Sequence, residues 1–323
     1  WFQGTADAVR QNLDIILESR GELVLILSGD HMYRMDYRRL LKEHVEAGAD
    51  VTVAGLPCSE SEIGEFGAIR VDPKGRIVEF REKPEDTEAP AGMQADAGLL
   101  ARFGVSTDRP YLASMGIYLF KKSFLRECVE NSQRHDFGRD VLPHAVAAGK
   151  VQSFLFEGYW RDIGTIRAFY DAHMDLVKAD PPFHFNDPEW PFYTHPRYLP
   201  GSSLNAVRIN RSIVSEGTML EECTVESSII GVRTTMTRAT VRRSLVMGVD
   251  PYPPAGPEGA PPLGIGEESL IEDAIIDKNA RIGRNVRITN KDAVAEADGP
   301  GWAIREGIVV VTKNAVIPDG TVI

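Results

Sequence analysis

Apolar and polar positions in the first half of the chain alternate between two periods. Residues 23–27 (LVLIL) form a continuous apolar run that predicts a buried strand, and 50–56 predicts another. Apolar residues recur at helical spacing over 8–19, 36–47 and 166–177, which predicts helices there. Strands that alternate with helices are typical of an α/β sheet.

Two further features complete this half of the pattern. The stretch FGAIRVDPKGRIVEFREKP (66–84) predicts a hairpin that turns at Asp72-Pro73-Lys74-Gly75, because aspartate, proline and glycine favour tight turns. Residues 114–120 and 151–164 supply more strands, with a helix predicted around 122–131.

Beyond residue 205 the apolar period becomes six residues. This spacing predicts a parallel β-helix over 206–323, in which one inward side chain on each short face stacks on the coil below. Residues 250–263 (DPYPPAGPEGAPPL) interrupt the repeat, and we expect them to form a surface loop. The positions that follow the period are Ile213, Met219, Val225, Ile230, Met236, Leu270, Ile276, Ile282, Ile288, Val310, Val316 and Val322.

Proline is dense between these two regions. The stretch PPFHFNDPEWPFYTHPRYLPGS suits an extended connector better than a helix or a central strand. The sequence therefore predicts an α/β domain over 1–182, a connector over 183–205 and a β-helix over 206–323.

Charge and composition exclude some classes of partner. The chain has 323 residues, with 47 acidic against 36 basic side chains, so a nucleic-acid partner is not expected. No apolar run approaches the roughly 20 residues that cross a bilayer, so no membrane partner is expected either. Cys58, Cys128 and Cys223 are far apart in sequence, which favours reduced thiols over a disulfide framework or a metal site.

Two aspartates are the first candidates for chemistry. Asp30 follows the strand at 23–27, where ligands bind in open α/β sheets, and Gly29 before it would let a ligand approach the backbone. Asp162 follows another strand and precedes a predicted helix, whose N-cap we assign to Thr165. Two such carboxylates could hold Mg²⁺ against phosphate oxygens, although a Gly-Asp pair alone is more often a turn.

A series of motifs extends over essentially the whole chain and resembles the glucose-1-phosphate adenylyltransferase (ADP-glucose pyrophosphorylase) family. The resemblance implies a Rossmann-like nucleotidyltransferase domain followed by a left-handed β-helix, in a tetramer that converts ATP and glucose 1-phosphate to ADP-glucose and pyrophosphate. The last two motifs resemble the plant, algal and cyanobacterial form, and FNDPEWPFYT resembles the plant-type large subunit. The motifs, in order, are WFQGTADAVRQ, LSGDHMYRMDY, VEFREKP, PYLASMGIYLF, DFGRDVLP, YWRDIGT, IIDKNARIG and GIVVVTKNAVIPDGTVI.

The resemblance also implies roles for individual residues. Asp30 and Asp162 would hold the catalytic Mg²⁺, Glu82 and Ser114 would bind the glucose, and Lys83 would bind its phosphate. The lysine ammonium is a compact cation that binds phosphate well, and a carboxylate can accept hydrogen bonds from sugar hydroxyls. The nucleotide side of the site would include Trp1, Gly4, Thr5 and Gly29.

Regulation is expected on the β-helix. Lys278 and Lys313 match lysines that bind the activator 3-phosphoglycerate in photosynthetic members, with phosphate as a second effector and Arg305 close to Lys313 in sequence. Glu272 and Asp273 add negative charge before Lys278, so we expect weaker phosphate binding here.

The family's glycine-rich phosphate loop, GGGxGTRL, does not occur in this sequence. We therefore expect an N-terminally truncated chain with little or no activity of its own, and a small-subunit partner in a heterotetramer. The expected compartment is the plastid stroma for a plant or alga and the cytoplasm for a cyanobacterium.

Two alternatives stay open on the sequence, and a third is disfavoured. The chain could be a non-catalytic regulatory large subunit of the same heterotetramer, or a mannose-1-phosphate guanylyltransferase. A hexapeptide acyltransferase is disfavoured, because those enzymes use a histidine between coils as general base and all seven histidines here lie at or before His195.

Overall fold

A computed structural model of the chain describes residues 1–84, 92–102, 108–130 and 133–323, which form two compact units. The first, the α/β unit, comprises Trp1–Gly29 and Arg34–Gly158. The second, the β-helix unit, comprises Asp30–Tyr33 and Tyr159–Ile323. The short segment after the first strand thus belongs with the β-helix.

The predicted helices and strands of the first half occur in their predicted order, and the structure adds a strand at His31–Tyr33 and helices at Ala97–Arg102 and Leu142–Ala148 that were not predicted. The strand predicted over 151–164 is two strands, Val151–Leu155 and Trp160–Asp162. The helices are α1 (Thr5–Gln11), α2 (Leu13–Glu18), α3 (Tyr37–Ala47), α4 (Ala97–Arg102), α5 (Lys122–Val129), α6 (Leu142–Ala148) and α7 (Ile166–Asp175). A 3₁₀-helical turn lies at Ile63–Glu65, and a single turn of π-helix, called the π-turn below, lies at Phe137–Val141. The strands are β1 (Leu23–Leu27), β2 (His31–Tyr33), β3 (Val51–Cys58), β4 (Ala68–Val71), β5 (Ile77–Arg81), β6 (Tyr111–Lys121), β7 (Val151–Leu155) and β8 (Trp160–Asp162).

The α/β unit is built around a six-stranded mixed sheet. Its order is β5-β4-β6-β3-β7, with β1 also paired to β6. The long strand β6 runs antiparallel to β1, β3 and β4, whereas β7 is parallel to β3. Helices α5 and α6 cover the sheet with buried side chains that include Leu125 and Leu142.

Two local predictions need correction. The helix expected over 8–19 is two helices, because the side-chain amide of Asn12 donates to the carbonyl oxygen of Ala8, 2.9 Å away, and competes with the backbone for it. The strand predicted at 23–27 forms but is not fully buried, since Leu25 and Leu27 are partly exposed. Among the described strands β1 pairs with β6 alone, so it lies at an edge of the sheet.

The β-helix consists of three parallel sheets whose coils stack in register. Their strands are β9 (Ser203–Asn205), β10 (Arg208–Asn210), β11 (Ile213–Val214), β12 (Met219–Glu221), β13 (Thr224–Glu226), β14 (Ile229–Ile230), β15 (Thr235–Thr237), β16 (Thr240–Arg242), β17 (Leu245–Val246), β18 (Gly264–Ile265), β19 (Leu270–Glu272), β20 (Ala274–Ile276), β21 (Arg281–Ile282), β22 (Arg287–Ile288), β23 (Ala297–Gly299), β24 (Trp302–Arg305), β25 (Ile308–Val311) and β26 (Val316–Ile317). The antiparallel hairpin β23–β24 extends one sheet and was not predicted.

The strict six-residue period is wrong at several positions. Leu204, Leu220 and Met236 align on successive coils of 16 residues, so inward positions are five or six residues apart. Met219 is accordingly 56% exposed while Leu220 is 2% exposed. Buried side chains likewise stand one position from the predicted Leu270, Val310 and Val316, and Val322 is exposed.

Residues 250–263 leave the coil between β17 and β18, as predicted. The Arg281 guanidinium holds this segment by donating to the carbonyl oxygens of Pro261 (3.1 Å) and Pro254 (3.4 Å). Within the described parts of the chain, no helix has the length and apolar character needed to cross a membrane.

Helix α7 packs on the β-helix and belongs to the same unit. Its N-cap is Thr165, as predicted, whose hydroxyl accepts from the Ala168 amide at 3.1 Å. Tyr170 packs among Leu245, Ile275 and Ile308, and its hydroxyl donates to the carbonyl oxygen of Arg243 at 2.5 Å. Because β8 leads directly into α7, the end of β8 is fixed to the β-helix.

Candidate active site

The two candidate metal carboxylates lie together in the β-helix unit. Strands β2 and β8 pair antiparallel with His31 opposite Asp162, and Asp30 immediately precedes β2. The His31 Nε2 atom is 3.6 Å from Asp30 Oδ1 and 3.5 Å from Asp162 Oδ2. The amide of Gly164 donates to the other oxygen of Asp162 at 2.7 Å. One short ladder therefore brings together two aspartates that are far apart in sequence.

His31 is a site residue that the sequence analysis did not single out. Its side chain is only 8% exposed and packs edge-on against Trp160, with ring centroids 4.9 Å apart. The side chains of Asp30 and Asp162 are 61% and 40% exposed, so the carboxylates face solvent while the imidazole stands behind them. Only the antiparallel pairing of β2 with β8 makes this neighbour visible.

The donor set at this ladder suits a hydrated hard cation. Mg²⁺ commonly binds proteins through one or two carboxylates and completes its octahedron with water and substrate phosphates. Asp30 and Asp162 supply two such groups, and no three His, Cys, Asp or Glu side chains form a metal-binding group within the described ranges. The pair thus fits Mg²⁺ shared with a phosphate better than a metal enclosed by protein.

Glu82 forms the centre of a second cluster, in the α/β unit. It follows β5 directly, and no group in the described residues donates a hydrogen bond to its half-buried carboxylate. Gly67 and Gly138 face this carboxylate so closely that a Cβ on either would collide with it. Burial raises the pKa of Glu82 and Asp136 adds to the rise, against the opposing charges of Lys83 and Arg139.

The π-turn at Phe137–Val141 places Gly138 at the Glu82 carboxylate. Such turns are rare and occur frequently at functional sites. Phe137 in this turn stacks on Tyr118, with ring centroids 5.5 Å apart, and burial raises the Tyr118 pKa to about 12. The sequence analysis missed Tyr118, Asp136 and Gly138, since their neighbourhood with Glu82 is formed by distant segments.

Ser114 and Lys83 border the same cluster. Ser114 is buried in β6, its amide donates to the Gly67 carbonyl oxygen at 2.7 Å, and its hydroxyl hydrogen bonds to Tyr118. Lys83 has φ of +35°, a backbone conformation that non-glycine residues rarely adopt. Its ammonium has no ion-pair partner among the residues that the structure describes, so its charge is available to a ligand.

The predicted nucleotide residues have different surroundings from one another. Trp1 is fully exposed, and a side chain at Gly29 would meet no atom of the described residues within 4 Å, so the glycine is not required there by a close contact with them. Gly4 packs against the His135 carbonyl oxygen. The Thr5 hydroxyl donates to Asp136 Oδ2 at 3.1 Å and accepts from the Phe137 amide at 3.0 Å. Gly4 and Thr5 therefore anchor α1 beside the π-turn.

The predicted effector lysines meet at one carboxylate. Lys278 Nζ is 3.2 Å and Lys313 Nζ 3.0 Å from the two oxygens of Asp250. Arg305 is not joined to them by any described contact; it pairs with Asp298 at 2.6 Å and Glu296 at 3.5 Å within its own hairpin.

The acidic residues before Lys278 are neutralised by arginines. Glu272 pairs with Arg242 at 3.0 Å, and Asp273 forms a two-pronged ion pair with Arg243, with both contacts at 2.7 Å. The negative charge at Lys278 therefore comes from Asp250 instead.

Comparison with known families bears on the whole architecture. Residues 2–179 match the nucleotidyl transferase family, and residues 197–322 match the GLGC left-handed parallel β-helix domain. The chain belongs to the nucleotidyl transferase family. The two domains in this order indicate the glucose-1-phosphate adenylyltransferase family. The predicted fold class, a nucleotidyltransferase domain followed by a left-handed β-helix, is confirmed.

Proposed function

We propose that the chain is a sugar-phosphate nucleotidyltransferase that joins ATP and glucose 1-phosphate into ADP-glucose and releases pyrophosphate. The observation that carries the proposal is the convergence of Asp30 and Asp162 on one ladder, in a chain with both family domains. In this reaction a sugar phosphate oxygen attacks the α-phosphorus of the nucleotide, so catalysis consists mainly of positioning and of charge neutralisation.

Asp30 and Asp162 are the residues that would hold Mg²⁺. When bound, the cation supplies Lewis-acid stabilisation of the phosphate charge. The Gly164 amide donates to one oxygen of Asp162, and the buried His31 lies behind both carboxylates, so the orientation of Asp162 is partly set before a ligand arrives.

The cluster around Glu82 is the proposed sugar site. A carboxylate with no hydrogen-bond donor among the described residues can accept two hydrogen bonds from sugar hydroxyls, and the lack of a side chain at Gly67 and Gly138 leaves room for it. Ser114 adds a hydroxyl, and Lys83 is the proposed partner of the sugar phosphate. Mannose 1-phosphate differs from glucose 1-phosphate in one hydroxyl orientation, so a site built on such hydrogen bonds can discriminate the two.

The effectors, the partner subunit, the pathway and the compartment are proposed together with this reaction. We propose that 3-phosphoglycerate and phosphate act at Lys278 and Lys313, that a small subunit completes a heterotetramer, and that the product serves starch or glycogen synthesis. The compartment would be the plastid stroma or, for a cyanobacterium, the cytoplasm.

The test is pyrophosphate release by the complete natural protein, with and without a small-subunit partner. ATP with glucose 1-phosphate should be preferred over GTP, UTP or mannose 1-phosphate. Asp162→Asn should lower kcat by about 100-fold or more, because removal of a metal carboxylate costs several kcal/mol of transition-state stabilisation. The matched control is Asp171→Asn, an exposed carboxylate on α7 that pairs with Arg167 at 3.8 Å.

The outcomes separate the alternatives. Release that requires the partner and survives Asp162→Asn would make this chain a regulatory subunit. Preference for GTP and mannose 1-phosphate would make it a guanylyltransferase.

A further inference from the structure

A single carboxylate bridges the two lysines of the proposed effector site. Each oxygen of Asp250 faces one lysine, and Asn279 Nδ2 donates to Oδ2 at 3.1 Å. The hydrogen bond from Lys313, together with those from Asn279 and Lys278, lowers the pKa of Asp250 to about 2. An anionic group already occupies the position between the cations that a phosphate group would take.

No other described carboxylate forms an ion pair with either lysine. The Asp277 side chain accepts from the backbone amide of Lys278 at 2.6 Å, and Glu272 and Asp273 are paired with arginines. Both lysine side chains are about half exposed, and the Asp250 side chain is partly exposed. A dissolved anion can therefore reach the lysines, but both are already paired with Asp250.

Asp250 stands at the start of the 250–263 loop, and its backbone and side chain both contact Asn279. Its backbone amide donates to Asn279 Oδ1 at 2.8 Å, and the loop is held further along by Arg281. The ion pairs involve exposed side chains, so each contributes little stability and can exchange for another anion. The Asp250 carboxylate can thus leave the lysines without unfolding of the coil.

We propose that Asp250 is an internal competitor for the Lys278–Lys313 pair, and that phosphate-type anions bind there only by displacing its carboxylate. The inference rests on the anion-binding role proposed for these two lysines. The binding energy of an anion is reduced by the cost of breaking the Asp250 contacts, since only the difference between the two states is observed.

The test measures binding of inorganic phosphate to the 323-residue chain by isothermal titration calorimetry. Asp250→Asn keeps the size of the side chain and removes its charge, and it should tighten phosphate binding about three- to tenfold. Added NaCl should weaken the tightened binding, because the lysines are exposed. The control is Asp298→Asn, which removes the carboxylate paired with Arg305 and should leave phosphate affinity unchanged.

Further variants make each outcome decisive. Lys278→Gln with Lys313→Gln in the Asp250→Asn background should abolish the tightened binding, and Asp250→Glu, which keeps the charge, should bind less tightly than Asp250→Asn. Equal affinity in the parent and Asp250→Asn, binding that survives the double lysine change, or no binding to Asp250→Asn would each overturn the proposal. Thermal unfolding checks that each variant is folded. The assay contains no nucleotide or sugar, so its result is independent of the proposed reaction.

Discussion

One carboxylate of the α/β unit and two of the β-helix unit have opposite surroundings. Glu82 in the α/β unit is half buried without a described donor, and its pKa is raised. Asp250 and Asp273 in the β-helix unit are held by cations from neighbouring coils. A carboxylate that is partly desolvated and left unpaired is costly to a fold, so its retention indicates a ligand that pairs with it. A paired carboxylate carries no such indication by itself.

The largest effect that tests this contrast is expected at Glu82. Glu82→Gln should raise KM for glucose 1-phosphate about 10- to 100-fold, because a hydrogen bond to a charged group contributes about 1.5–3 kcal/mol. The thermal midpoint should not fall, since the change removes a partly buried charge. Steady-state kinetics and calorimetry measure both quantities.

Glu79→Gln is the matched control on the same strand. Glu79 accepts from Arg70 at 2.9 Å and Arg81 at 2.7 Å, and these bonds lower its pKa. KM should stay unchanged in this variant. An equal rise in KM for both variants would remove Glu82 from the sugar site.

A smaller effect is expected when the backbone around Glu82 is altered. Gly138→Ala places a methyl group where the carboxylate lies, so the flexible Glu82 side chain must move. We expect KM for glucose 1-phosphate to rise about tenfold, through partial loss of the same bonds. Gly64→Ala, where a Cβ meets no atom within 4 Å, is the control. Unchanged KM in Gly138→Ala would show that the placement of Glu82 by the π-turn is unimportant.

In the β-helix unit, loss of a paired carboxylate should affect stability rather than activity. Asp273→Asn breaks the ion pair with Arg243 and weakens the contact with the Tyr170 hydroxyl, 3.4 Å away. The pair is about half exposed, so the free energy of unfolding should fall by only about 0.5–1 kcal/mol. Urea denaturation measures this, with Asp171→Asn as control. A change in KM for glucose 1-phosphate without loss of stability would contradict the expected difference between the unpaired Glu82 and the paired Asp273.

Acidification should affect both units, because each contains a histidine that is buried or partly buried. Burial lowers the pKa of His44, whose Nδ1 lies 2.8 Å from the Thr52 hydroxyl, and of His173. As pH falls, the unfolded chain protonates these histidines at a higher pH than the folded chain does. Stability should therefore decline as pH falls below the ordinary histidine pKa of about 6.5. His44→Gln and His173→Gln should each flatten the decline between pH 7 and 5 in denaturant titrations. An unchanged slope in both would show that neither histidine titrates anomalously.

The sequence predicted the elements that depend on neighbours along the chain. Strand β1, helix α3 and the Thr165 cap follow from local apolar spacing and capping chemistry. The same local reasoning failed by one residue at Met219 and Leu220, because the coil length is set by how successive coils stack. A strand turns every side chain to its opposite face at each residue, so a one-residue error exchanges inside and outside.

Local periodicity was enough to predict an α/β region followed by a parallel β-helix, and the resemblance to a known family singled out most of the residues able to carry chemistry. Which of these residues are neighbours became clear from the folded chain alone. It set His31 behind Asp30 and Asp162, Gly138 against Glu82, and Asp250 between Lys278 and Lys313. Apart from that of His31 with the adjacent Asp30, these contacts join segments separated by tens of residues or more, and such pairs are fixed by strand pairing and coil stacking rather than by any pattern along the chain.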